Sequence, residues 1–410
     1  MKTARVLSLV GAAALALTIG GLALTRASHP SQAAVVAPVS HAGGYTDRAE
    51  RDIQIKVWNQ ALAADPTSAL VLGQLAALHL QRGREGGAFD EYVEAEKLAR
   101  RSLGKRTNRN SGTAATLVSA LLAQHRFVEA RTVAAQLVAR NPEVPEYRAA
   151  LAEVSMELGD DAAADTLFRS VWAHRGTLTI AARLARWLEI NDHVPEARTL
   201  LASAQADAMM RRDVATETKA WFALRVGDLE LRRGHARAAE AAYAQGLALE
   251  PEDPRLFAAM ARLAREREQY DDVIRWGERA IGMQLDPATL GLVGDAYAMQ
   301  GNAEKAEEFF RTLEVAVSLQ PGAYHRAWSL YLLDHGLRVN EVLRKAQAEL
   351  LDRKDVYGYD VVAWALEKAG RRDEARVAMR EALRLDTPDP LLWRHARVMG
   401  LDLTSMRSGE

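Results

Sequence analysis

Apolar and small residues recur along most of the chain at the spacing of paired amphipathic helices. In the clearest copy, the first helical face consists of Leu290, Val293, Gly294 and Tyr297. Gly301 follows in the turn, and the second helical face consists of Ala306, Phe310 and Leu313. Aligning the other copies on this one gives eight units, which start at residues 111, 145, 178, 220, 254, 287, 322 and 356. The steps between them are 34, 33, 42, 34, 33, 35 and 34 residues. This period predicts a helical-repeat solenoid.

Side-chain size follows the same register. Seven units have Ala, Gly or Ser at their eighth position, with Val118 as the exception. Six have alanine at the twentieth, with Val273 and Glu341 as exceptions. Small residues at one place on each helix let two antiparallel helices approach closely. The twenty-fourth position is often bulky, and we expect it to fill the gap to the next unit, as for Phe168, Leu201, Tyr243, Phe310 and Met379.

This pattern resembles the tetratricopeptide repeat family. The unit length, the small residues and the turn glycines Gly159, Gly301 and Gly370 carry the resemblance, which covers roughly residues 69–400. The resemblance implies an all-α fold, a right-handed superhelical solenoid of antiparallel helix pairs, and a role in binding other proteins. In this family the first helix of each unit lines a concave groove through its second, fifth, ninth, twelfth and thirteenth positions.

The repeats also divide the chain into segments. We predict a leading helix with a divergent unit, an N-terminal array, a C-terminal array, a capping helix and a tail, at residues 49–110, 111–219, 220–388, 389–403 and 404–410. The divergent unit carries an insertion at residues 84–89. The step of 42 reflects about eight extra residues, 206–213, which either extend two helices or form a bent connection. The capping helix is expected because the last unit would otherwise expose an apolar face.

The first residues have the pattern of an export signal. Lys2 and Arg5 precede an uncharged apolar run at residues 6–25. The run has the length, about 20 residues, that a helix needs to cross a bilayer, so residues 1–26 are either a cleaved signal peptide or an uncleaved membrane anchor. The positive end before the run predicts that the rest of the chain lies outside the cytoplasm. Residues 27–48 are rich in Ser, Pro, Gly and Ala and predict a flexible linker.

Composition narrows the classes of function. Lysine and arginine number 53 against 54 acidic residues, so no overall field attracts nucleic acid, and we predict no nucleic-acid partner. The chain has no cysteine, which excludes disulfides, thiolate metal sites and cysteine nucleophiles. A length of 410 residues exceeds the usual single core, and the repeats favour a linear array over several separate domains.

The sequence lacks the motifs of an enzyme. A glycine-rich phosphate loop and a serine nucleophile elbow are absent, and the ten histidines are scattered without a metal-binding helical spacing. The acid pairs at residues 160–161 and 271–272 lie near helix starts, where they favour the helix dipole. We therefore predict a protein that is not an enzyme, with no catalytic, cofactor-binding or metal-binding residues.

Two groups of residues are candidates for binding a partner. Matching positions to the family implies that Tyr357, Asp360 and Trp364 line the groove in the last unit and Arg326 in the unit before it. These residue types are frequent at interface hot spots, although Trp364 has the alternative of packing beneath the capping helix. The second group could receive an acidic peptide or a C-terminal carboxylate, unless Glu266 and Asp228 neutralise it, and consists of Arg232, Arg255, Arg262 and Arg265.

These features predict a non-catalytic scaffold that binds protein or peptide partners through its concave groove in the bacterial cell envelope. It would be periplasmic or anchored to the inner membrane, with membrane contact through residues 6–25 if they are not cleaved. One alternative is a structural assembly factor that self-associates. Another is an accessory subunit of a membrane transporter or respiratory complex.

Overall fold

The computed structural model describes residues 47–86, 88–319 and 325–402, and every regular element in these ranges is helical. All the described residues belong to one compact unit, residues 36–410. The predicted export segment, the predicted tail and all of the predicted linker except residues 47–48 lie outside the described residues. None of the described helices combines the length and the apolar character that a membrane crossing requires.

The divergent N-terminal part contains three helices, α1 Asp47–Ala64, α2 Ala69–Gly86 and α3 Phe89–Lys105. Of the residues expected as an insertion, 84–86 form the end of α2 and Phe89 begins α3. A buried ion pair between Arg51 of α1 and Glu85 of α2 joins the first two helices. The leading helix is therefore fixed to the array by charge as well as by its apolar face.

The eight predicted units form eight helix pairs, followed by a capping helix. The pairs are α4 Ser111–Ala123 with α5 Phe127–Arg140, α6 Pro145–Glu157 with α7 Asp161–Ser170, α8 Leu178–Ile190 with α9 Val194–Met210, α10 Thr216–Arg232 with α11 Ala236–Leu249, α12 Pro254–Glu266 with α13 Tyr270–Met283, α14 Pro287–Met299 with α15 Ala303–Leu319, α16 His325–Asp334 with α17 Val339–Glu349, and α18 Val356–Lys368 with α19 Arg372–Ala382. The capping helix is α20 Pro390–Val398. Both predicted alternatives occur in part: residues 206–210 extend α9, α10 begins four residues before its unit, and residues 211–215 form a bent connection between them.

The backbone confirms the register of all eight units. Each has a positive φ at its fifteenth position, directly after its first helix, where glycine is favoured because it has no Cβ. Five units have glycine there, and three have another residue in the same left-handed conformation. These positions are His125, Gly159, Asp192, Gly234, Glu268, Gly301, Gly336 and Gly370, with φ between 56° and 78°.

Small and large residues pack against each other within a unit. A Cβ added to Gly294 would lie 2.4 Å from the ring of Phe310, and one added to Gly227 would lie 2.3 Å from the ring of Tyr243. The small eighth position therefore makes room for the bulky twenty-fourth position of the same unit. The large side chain also reaches the next unit, as expected, since Phe168 stacks on Trp187 with 5.6 Å between ring centroids.

The array curves until distant parts of the chain touch. At its N-terminal end, the Thr216 backbone N–H donates to the Asp47 carboxylate at 2.6 Å, 169 residues away in sequence. Near its C-terminal end, the Lys354 backbone N–H donates to the Leu158 carbonyl at 3.0 Å. The Thr387 hydroxyl donates to the Ile190 carbonyl at 2.7 Å, across 197 residues. Successive turns of the superhelix are thus in direct contact.

We call the C-terminal contact the clasp, defined as the contact of residues 353–357 and 384–387 with α6, the start of α7 and α8. Arg384 pairs with Asp161 at 2.8 Å, and Leu385 packs against the apolar cluster that contains Phe168 and Trp187. Gly159 permits the close approach, since a Cβ there would lie 2.2 Å from the Lys354 carbonyl group. The clasp joins units that the repeat pattern alone leaves far apart.

Candidate binding surface

A column of charges of alternating sign runs across the first helices of five successive units. Each residue occupies the ninth position of its unit, which the family resemblance assigns to the groove. The column consists of Glu153, Arg186, Asp228, Arg262 and Asp295. Within the column, Arg262 pairs with Asp228 of the preceding unit at 3.2 Å, across the unit boundary. We call the face that carries the column the inner wall, after the groove position that the resemblance implies.

An ionic network at the centre of the column, which we call the arginine cluster, is built from α8, α10 and α12. It comprises four arginines and two acids, namely Arg186, Arg225, Arg232 and Arg262 with Glu189 and Asp228. Glu189 accepts from Arg232 at 2.5 Å and from Arg186 at 3.3 Å, and lies 3.8 Å from Arg225. Asp228 lies 3.4 Å from Arg225 and accepts from the Tyr243 hydroxyl at 2.9 Å. The two carboxylates are thus each shared between arginines.

The charges in the cluster shift each other's pKa values. Burial raises the pKa of Glu189, but Arg232, Arg186 and Arg225 outweigh burial and hold it below its ordinary value. Burial also lowers the pKa of the Arg225 guanidinium, and Arg232 and Arg186 lower it further against the opposing effect of Asp228. The negative charges of the two acids are therefore well compensated, whereas the positive charge of Arg225 is repelled by the neighbouring guanidinium groups.

The arginines proposed from sequence take separate positions. Arg232 and Arg262 belong to the cluster. Arg255 instead pairs with Asp253 at 2.6 Å and Glu217 at 2.8 Å, and donates to the Arg84 carbonyl at 2.7 Å, where two turns meet. Arg265 lies over the Tyr270 ring, 5.9 Å from its centroid. Two further members of the cluster, Arg186 and Arg225, are not among the candidates predicted from sequence. The alternation of charge at the ninth position is a sequence signal for Arg186, whereas Arg225 has no such signal.

The C-terminal candidates are held in internal contacts. The Asp360 side chain is fully buried and bonds to His395 at 2.7 Å and to Arg326 at 3.1 Å. Trp364 stacks on His395 of the capping helix with ring centroids 4.1 Å apart, and its indole N–H donates to Asp334 at 2.8 Å. The alternative of packing beneath the capping helix is therefore what the structure shows for Trp364.

Tyr357 connects the clasp to the arginine cluster. Arg186 donates to its hydroxyl at 2.9 Å across 171 residues of sequence. The guanidinium of Arg326 lies 4.5 Å from the centroid of the same ring, a distance typical of a cation–π contact. Both arginines therefore already contact Tyr357, and its role in the groove stays a prediction.

The clasp contains a carboxyl group that should make stability depend on pH. Burial raises the pKa of Glu157 to about 7, against the effect of Arg353 and with added repulsion from Asp355. Between the ordinary value and about 7 the folded protein keeps a proton that the unfolded chain loses, so stability falls as pH rises through this window. We expect Glu157→Gln to flatten this decline in urea unfolding between about pH 5 and pH 8.

The Glu157 side chain keeps 29% exposure, so solvent will reduce the size of this effect. Glu143→Gln, an exposed substitution just before the same helix, is the control and should leave the pH dependence unchanged. A decline that is equally steep in Glu157→Gln and in the unmodified protein would show that Glu157 does not cause it.

A second concave feature, which we call the outer cleft, is formed mainly by the second helix α9, with Leu188 contributed by the first helix α8. It is a cleft of 720 Å³ between α9 and the short turn Trp172–His174, and Leu188, Leu200 and Ala204 contribute apolar surface to it. Trp172 remains 43% exposed, and Glu196 and Asp207 add acidic groups to the lining. In the described part of the chain, no group of three or more His, Asp or Glu side chains has the arrangement of a metal site.

Comparison with known proteins identifies the fold. No protein-family model matches the chain, and no curated protein matches it. Among solved structures, it is similar to the anaphase-promoting complex hetero-tetramer Cut9–Hcn1, with a TM-score of 0.52 and 13% identity over 86% of this chain. The match spans 59% of the length of that chain.

Two further structures are similar at lower scores. One is PilW, a type IV pilus biogenesis factor, with a TM-score of 0.42 and 20% identity over 51% of this chain and 94% of that chain. The other is the human IFIT1 dimer with PPP-AAAA, with a TM-score of 0.46 and 16% identity over 82% and 95%. These neighbours are tetratricopeptide-type repeat proteins. The similarity to the Cut9–Hcn1 structure confirms the predicted fold: the described part of the chain is an all-helical solenoid of the tetratricopeptide type.

Proposed function

We propose that this protein is a non-catalytic scaffold that holds a protein or peptide partner against the inner wall of its solenoid. The observation that supports this proposal is the solvent access of charged side chains on that wall. Arg262 is 48% exposed, and Arg186 and Arg232 keep 28% and 26%. Rigid helix pairs hold these groups in a fixed array, which suits recognition of an extended or helical segment across several units.

The absence of cysteine makes a direct test possible. A single cysteine in place of Arg262 carries a photo-crosslinker on the inner wall, and Thr199→Cys, in the outer cleft, is the matched control. We expect crosslinks from the inner position to one defined protein, reproduced with purified components, and none from the outer position. Crosslinks from Thr199→Cys to a second copy would instead support the alternative of a self-associating assembly factor.

We also propose that the scaffold works in the cell envelope, as a periplasmic or membrane-anchored protein. The support is the sequence of residues 1–26, in which two cations precede an apolar run. The mass of the protein isolated from cells separates a cleaved signal from a retained anchor. An accessory subunit of a membrane complex would be crosslinked mainly to proteins of that complex.

A further inference from the structure

The arginine cluster carries more positive than negative charge. Its four guanidinium groups face two carboxylates, Glu189 and Asp228, which leaves a surplus of two positive charges within the cluster. The four arginine side chains keep 23% to 48% exposure, so water compensates this surplus in the free protein. A carboxylate that displaces this water would compensate it through direct hydrogen bonds.

The hydrogen bonding of the cluster is also incomplete. One terminal nitrogen of Arg232, Nη2, is buried and has no hydrogen-bond acceptor among the described residues. Arg225 lies 3.4 Å and 3.8 Å from its two acids, both longer than a normal charged hydrogen bond. Arg225 and Arg232 lie seven residues apart on the same face of α10, and both side chains converge on Glu189. Donors of both are thus directed to one place.

We infer that the arginine cluster binds the carboxylates of an acidic segment of the partner, an inference that rests on the proposed function. A guanidinium group pairs with a carboxylate through two parallel hydrogen bonds, and the surplus matches one or two such groups. The incoming carboxylate would accept from Arg232 Nη2 and from Arg225, and would join Glu189 and Asp228 as a third anion. The site thereby selects acidic side chains or a chain terminus.

The same observations favour a peptide over nucleic acid. The net charge of the chain is −1, so it offers no extended positive field for the many phosphates of a nucleic acid, whereas one or two carboxylates match the local surplus of the cluster. Two tyrosines bond to the cluster: Tyr243 is fully buried, and Tyr357 is already in contact with Arg186 and Arg326. Neither of these two rings offers a free face on which a base could stack.

The test is a fluorescence titration of labelled hexaglutamate with the full-length protein and three variants. Arg225→Gln removes a donor and should weaken binding about tenfold, a change near 1.4 kcal/mol. Glu189→Gln removes a competing carboxylate with little change in shape, and should strengthen binding about tenfold. Arg169→Gln is the control, because Arg169 is 80% exposed on α7 and pairs with Asp165.

The result expected is the order Glu189→Gln, then unmodified protein and control, then Arg225→Gln, with all affinities falling as salt is added. Equal weakening by Arg225→Gln and Arg169→Gln would overturn the inference, as would tighter binding of a single-stranded oligonucleotide than of hexaglutamate. If Glu189→Gln fails to fold, the comparison of Arg225→Gln with Arg169→Gln still tests the inference. Absence of peptide binding alongside specific Arg262→Cys crosslinks would refute the acidic ligand and leave the proposed function standing.

Discussion

Gly159→Ala should destabilise the protein by about 3 kcal/mol. Alanine at the positive φ of 74° carries a strain of about 1 kcal/mol. Its Cβ would also lie 2.2 Å from the backbone carbonyl of Lys354, so the two turns must separate. Separation breaks the Lys354–Leu158 hydrogen bond and weakens the pairing of Arg384 with Asp161. Urea unfolding of the purified protein measures the loss.

Gly301→Ala is the matched control. Gly301 occupies the same turn position with φ of 78°, but no atom lies within 4 Å of its added Cβ. The control should lose only the strain, about 1 kcal/mol, because Asp192 and Glu268 already adopt this conformation in other units. Equal losses in the two variants would mean that the clasp contributes nothing to stability.

Asp360→Ala should be the second strongly destabilising change, by about 3 kcal/mol. The substitution removes the acceptor of both His395 and Arg326, and the His395 side chain is only 1% exposed. A buried donor without an acceptor loses its solvation without compensation. The capping helix, which Trp364 and His395 join to α18, should therefore detach first.

Asp373→Ala provides the comparison in the adjacent helix. Asp373 is 99% exposed and pairs with Arg376 at 3.2 Å, and its loss should change stability by less than about 0.5 kcal/mol. Thermal unfolding followed by circular dichroism measures both variants. If Asp360→Ala is as stable as Asp373→Ala, then Asp360 does not stabilise the fold. It would then again be a candidate for binding a partner.

The repeat register could be predicted from sequence because it depends on local packing. Within one unit, a small residue at position eight has to face a bulky residue at position twenty-four for the two helices to pack, as Gly227 faces Tyr243. Where Gly277 replaces the large residue, Val293 of the next unit lies against it. Each of these pairs lies within about 16 residues in the chain, so a repeating pattern records it.

The clasp could not be predicted in this way. Contact between Leu158 and Lys354 depends on small rotations added over several units, and no single unit encodes the sum. The same limit affects the binding residues, since Tyr357 faces the groove by position but meets Arg186 only because the turns touch. The family positions of Asp360 and Trp364 also predict groove residues, whereas in the structure both side chains hold the capping helix.

The proposed clasp and the connection of Tyr357 to the arginine cluster both depend on the contact between successive turns. Hydrogen exchange of one backbone amide measures this contact directly. The Lys354 amide donates to the Leu158 carbonyl in the other turn. Residue-resolved hydrogen exchange should therefore find this amide strongly protected in the unmodified protein and unprotected in Gly159→Ala. Exchange of the Lys354 amide at the rate of an unstructured peptide in the unmodified protein would contradict the account.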